Sequence, residues 1–128
     1  MLELTPLYAS VLAIIFFVLS IRVVIGRRRA RIALGDGSDR TLLRRTRVQA
    51  NFAEYVPMVL LLMAFAEFNG VSSLELHLIG ATLLLGRVLH LIGFGREPDI
   101  LPLRVVGMIL TFAALLIAAA GNLRLALF

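Results

Sequence analysis

Four stretches of this chain are apolar enough to cross a bilayer, and the polar segments between them differ sharply in charge. A hydrocarbon core about 30 Å thick needs about 20 residues of helix. Residues 6–25 meet that length with a single charge, Arg22, near the far end, where a long side chain can snorkel to the interface. Glu3 precedes this run, no basic residue does, and the arginines follow it; that order is unlike a cleaved signal, so the segment is expected to be retained as the first span. Residues 74–94 and 105–123 predict the third and fourth spans, the last rich in Ala and Gly where neighbouring helices can approach closely. The second is different. Its clean apolar stretch, residues 56–66, is too short, so it must borrow from Val48 onward and run over 48–68. That places Asn51 and Glu54 inside the membrane boundary, where such groups are costly and usually paired or functional, with a kink expected at Pro57. The pattern predicts an all-α membrane protein, a four-transmembrane-helix bundle forming one domain over residues 1–128.

The connections set the expected orientation. Residues 26–47 are polar and basic, with a turn-forming Gly35-Asp36-Gly37-Ser38-Asp39 run, and Asp39 is a candidate N-cap for the next helix. The spacing of those carboxylates is not that of a calcium loop. Residues 67–75 carry no arginine, and their Asn69-Gly70 pair marks a reversal. Residues 95–102 hold Arg96, Glu97 and Asp99, and Arg104 stands at the mouth of the fourth span. Arginine therefore gathers on the first and third connections, which the positive-inside rule places in the cytoplasm with both termini outside. In a bacterium the expected location is the inner membrane.

Composition sharpens this picture in three ways. Sixty per cent of the residues are hydrophobic and the mean hydropathy is +0.96, well above soluble-domain usage. The net charge of +5 comes from thirteen arginines and no lysine; no aromatic-rich reading surface accompanies them, so anionic lipid headgroups are expected as their neighbours and nucleic acid is not. There is no cysteine, so any thiol chemistry must use a thiol brought by a ligand.

Arg47, Asn51, Glu54 and Tyr55 share one face of the second helix, and Arg87, His90 and Phe94 share one face of the third. The two helices run in opposite directions, so matching depths sets Asn51 near His90 and Glu54 near Arg87, and a Glu54–Arg87 ion pair is expected. Each residue also has a purely structural reading. Glu54 and Arg87 can neutralise each other in a packed bundle, Asn51 can bond across helices, and Arg47 and Arg104 can anchor headgroups. Tyr55 can sit at the interface, Phe94 can simply pack, and His90 can be a satisfied interior histidine. No metal site is expected, because His77 lies near the opposite membrane face. Taken together, this polarity on one half of the bundle suits a small anionic ligand with a lipid-soluble co-substrate. Arginine can bind a carboxylate in a fork, Asn51 an amide, and Glu54 an ammonium group. Glutathione presents all three.

The run Arg47-Val48-Gln49-Ala50-Asn51-Phe52-Ala53-Glu54-Tyr55-Val56-Pro57 resembles the second-helix signature of the MAPEG family, the membrane-associated proteins of eicosanoid and glutathione metabolism. Leu85-Gly86-Arg87-Val88-Leu89-His90, with Phe94 and Arg104, resembles the family's third helix and the start of its fourth. The resemblance implies a homotrimer that binds glutathione between subunits near the cytoplasmic side. It implies that Arg47, Gln49, Asn51, Glu54 and Tyr55 contribute to the glutathione site, supported by Arg87 and His90, with Arg28 one of four candidate arginines after the first helix. Arg104 matches the arginine that stabilises the thiolate, and a nearby cation lowers a thiol pKa. Several eicosanoid-forming members carry tyrosine where this chain has Phe94, which disfavours a leukotriene or prostaglandin synthase. The implied activity is a glutathione transferase acting on lipophilic electrophiles, with or without peroxidase activity. The rival on the same fold is a non-catalytic lipid-binding or scaffold protein. A small multidrug transporter would carry a membrane-embedded glutamate on its first helix, and here that helix has no central acid.

Overall fold

The computed structural model describes residues 1–128 and contains four helices and no strand. They are α1 (Leu4–Ala30), α2 (Arg40–Phe68), α3 (Ser73–Phe94) and α4 (Leu101–Leu127), and each is long and apolar enough to span a membrane. Short connections force the helices to alternate in direction, so both termini and the α2–α3 turn share one end, and the two basic connections share the other.

The helices outrun the expected spans. α1 continues to Ala30 and α2 begins at Arg40, which shortens the first connection from residues 26–47 to residues 31–39. Arginine is a good helix former, so both helices continue past the apolar runs into the basic segments. Asp39 caps α2 as expected, its carboxylate accepting from Leu42 N at 2.8 Å. The helix runs on through Pro57 without interruption. The α2–α3 reversal uses Gly70 at φ +83°, a backbone state that side chains disfavour, and Ser72 caps α3.

Packing is uneven around the bundle. α1 lies on α2 and α3 and does not touch α4. The core between them is aliphatic, with Leu12, Leu19, Val56, Val59, Met63, Ile79 and Leu83 all buried. α3 and α4 approach most closely, backbone to backbone, because Gly86, Gly93 and Gly107 face the seam. A Cβ on Gly86 would lie 2.9 Å from the carbonyl oxygen of Gly107, and one on Gly93 would collide with the backbone nitrogen of Arg104. These glycines fix the height of His90 on α3 relative to Arg104 on α4.

Candidate functional site

Arg87 is the centre of the polar cluster. It is 1 % exposed, on the face of α3 that meets α2 and α4. Its guanidinium donates to Asn51 Oδ1 of α2 at 2.7 Å, lies 3.3 Å from His90 Nδ1, and reaches Thr111 Oγ1 and Met108 Sδ of α4 at 3.4 and 3.8 Å. The Phe52 ring adds a cation–π contact at 5.5 Å. The expected Glu54–Arg87 ion pair does not form. Asn51 takes the position facing Arg87, while Glu54 is exposed on the outer surface of α2 and makes no salt bridge within the chain.

A second cluster sits beside the first at the basic end. Asp99, in the α3–α4 connection, bridges two arginines: one carboxylate oxygen meets Arg44 of α2, and the other accepts from Arg104 Nη1 at 3.0 Å. Phe94 lies between them. The Arg104 guanidinium stands 4.0 Å from its ring centroid and that of Arg44 5.5 Å, while Arg44 also donates to the Phe94 carbonyl at 3.1 Å. The His90 ring meets Phe94 edge-on at 5.6 Å, so the two clusters touch through one aromatic ring. Arg104 keeps 41 % of its side chain exposed.

The structure thus brings Asn51, Arg87, His90, Phe94 and Arg104 together on one flank. Tyr55 is half-buried, its ring edge-on to Phe112 of α4 at 5.4 Å, and Gln49 is also half-buried. Arg47 and Glu54 are exposed on the α2 surface, and Arg28 is exposed at the end of α1, with no hydrogen bond to the cluster. Sequence reasoning missed Arg44, Asp99 and Thr111. Arg44 had a signal, since it extends the Arg47–Asn51 face of α2 back by one turn. Asp99 was visible only as an acid close ahead of Arg104, and Thr111 had no signal within an apolar helix. His77, at the other end, accepts or donates a 2.9 Å bond with the Tyr8 hydroxyl and takes no part in the site.

An apolar groove of about 180 Å³ runs between α1 and α2, walled by Leu12, Phe16, Phe52, Val56, Pro57 and Leu60, with small alanines completing its surface. Phe52 is shared: one side of its ring faces Arg87, and it stacks on Phe16 at 5.6 Å. Apolar and charged chemistry are therefore separated by one side chain.

Four helices long and apolar enough to span a membrane, with a buried arginine hub and a partly exposed arginine at the basic end, define an integral membrane protein with a polar cluster inside its bundle. The MAPEG family model matches residues 5–124, and the chain belongs to the MAPEG family. Two curated relatives, each described as inner membrane protein YecN, come from Escherichia coli strain K12 and from Escherichia coli O6:H1 strain CFT073. Each is 36 % identical to this chain over 119 residues, covering 93 % of this chain and 89 % of the relative. No solved structure matches.

Proposed function

We propose that this protein is a membrane-bound glutathione transferase that adds the glutathione thiolate to lipophilic electrophiles entering from the bilayer. The observation that carries the reading is the junction of the two clusters: Arg104, stacked on Phe94, stands next to the Asn51–Arg87–His90 group while keeping part of its side chain exposed. Arg47 and Glu54 on the exposed side of α2, with the half-buried Gln49 and Tyr55, would complete the glutathione site where a neighbouring subunit of a homotrimer would pack and add an arginine such as Arg28. The membrane is the inner membrane, with the basic connections in the cytoplasm and both termini outside, in keeping with the described location of the relatives and the arginine distribution.

In this mechanism Arg104 stabilises the thiolate over the thiol, which raises the nucleophile's population at neutral pH. The sulfur then forms a bond to the electrophilic carbon, and the electron pair departs with a leaving group or onto a conjugated acceptor. The apolar groove beside Phe52 is suited to the lipophilic partner, and holding both reactants in a water-poor site supplies proximity.

The test is a stopped-flow ultraviolet titration of purified protein with glutathione, reading thiolate absorbance. Wild type should form thiolate and Arg104→Ala should lose it, with conjugation slowed about 100-fold, the usual scale for removing one charge-stabilising donor. One observation favours the lipid-binding alternative: Asp99 already answers Arg104, and the groove is apolar. Wild type that neither binds glutathione nor forms thiolate would establish that alternative as the better reading. A stable monomer by mass in mild detergent would remove the inter-subunit site.

A further inference from the structure

A guanidinium can only donate hydrogen bonds, and it does not deprotonate in proteins. Every group that hydrogen-bonds to Arg87 must therefore present a lone pair to it. At Thr111 this is already arranged, because the hydroxyl proton is committed to the Gly107 carbonyl at 2.8 Å, leaving the oxygen free to accept. At Asn51 the side-chain oxygen must face Arg87, so the amide nitrogen is turned away, and it donates to nothing within the chain. At His90 the acceptor is Nδ1, so the ring proton belongs on Nε2. Arg87 itself has no carboxylate partner, its Nε is unbonded, and it is almost wholly buried.

We propose that Arg87 is a positioning residue that fixes Asn51 and His90 as a pair of hydrogen-bond donors, so that the ligand group received there is an acceptor, a carboxylate or a peptide carbonyl. This rests on the glutathione reading for the ligand's identity, but the donor assignment itself does not. The buried cation behind the pair reinforces it, since its charge is uncompensated in a low-dielectric setting and repels an ammonium group. Arg87 acts only through these two neighbours and has no surface of its own to offer. With Asn51 facing Arg87 the cation keeps its charge and an N–H is left outward; a carboxylate at that position would neutralise the cation and present none.

The first test uses the full chain in detergent, with His77→Gln leaving His90 as the only histidine, and needs no ligand. Long-range nitrogen–proton spectra of labelled histidine should show the Nε2–H tautomer with a hydrogen-bonded Nδ1. In Arg87→Met the Nδ1 resonance should move to that of a ring without a donor. An Nδ1–H tautomer in the Arg87 protein, or a spectrum unchanged by Arg87→Met, overturns the proposal. The second test is Asn51→Asp, which keeps an oxygen for Arg87 but removes the outward N–H. Glutathione should bind at least about tenfold more weakly to a protein that still folds, in line with losing a hydrogen bond to a charged group. Equal binding overturns the donor assignment. If the Asn51 protein binds no glutathione at all, the transferase reading fails, and the tautomer alone decides the role of Arg87.

Discussion

At the end of the bundle that holds both termini, the acids answer donors of the chain itself. The Glu67 carboxylate, at the end of α2, accepts from the backbone nitrogens of Glu3, Leu4 and Thr5 at 2.7 Å each, capping α1 from another helix. Glu75 pairs with Arg124 at 3.0 Å, and Asn122 donates to the carbonyls of Leu62 and Ala118. At the basic end the balance is reversed. Asp99 serves two arginines at once, Arg87 has no carboxylate, and the outward N–H of Asn51 has no partner. Self-satisfied polarity holds helices together; a surplus of donors around a buried cation leaves a place for an acceptor from outside. Both ends carry embedded polar residues, and this balance distinguishes the way each uses them.

The largest effect is expected at Glu67. Removing its carboxylate in Glu67→Ala leaves the first N–H groups of α1 without their acceptor, and a lost N-cap costs about 1 to 2 kcal/mol. Thermal or denaturant unfolding in detergent should show that loss, while glutathione affinity stays within about twofold. A fall in affinity as large as that of a basic-end variant would mean that the two ends are not separate in function.

The same contrast marks what could be read from sequence. The four spans follow from length and apolarity, and Asp39 declared its cap because the capping residue and the helix it starts are adjacent in the chain. The cap on α1 could not be read that way, since Glu67 and Thr5 are 62 residues apart and only the folded bundle brings them together. Asn51, Glu54, Arg87 and His90 were legible as polarity in apolar runs, but their pairing was not. Depth matching ignored rotation: Glu54 lies about 60° round the helix from Asn51 and about 4.5 Å further along, enough to turn it out of the seam. Arg44 and Asp99 escaped notice because a charge at a helix end reads as solvated until a tertiary contact gives it a partner.

A subtler change probes the basic end. In Asp99→Asn, Arg104 keeps its charge and its place over Phe94 but loses the carboxylate that offsets that charge. Asn keeps a side-chain oxygen that can still accept from an arginine, so the stability cost should be about 1 kcal/mol. On the proposed glutathione reading, the bound thiol should respond in the opposite sense to Arg104→Ala. A less neutralised cation favours the thiolate, so its titration midpoint moves to lower pH and the thiolate population below that midpoint rises about two- to fivefold. A pH series of the thiolate absorbance measures this directly, and a midpoint moved to higher pH would mean that Asp99 acts chiefly by holding Arg104 in place.

The smallest effect should come from the exposed pair at the terminal end. Arg124 and Glu75 are both more than a third exposed, and such pairs contribute little because solvent screens them and two long side chains must be held still. Arg124→Ala should leave the unfolding midpoint and glutathione affinity the same as in wild type. Its value is as a control on charge itself. Removing an arginine here lowers the chain's net charge by the same unit as Arg104→Ala, so if both variants weakened glutathione binding equally, the ligand would be responding to overall charge. Loss confined to Arg104→Ala would place the effect in the local geometry of the basic end.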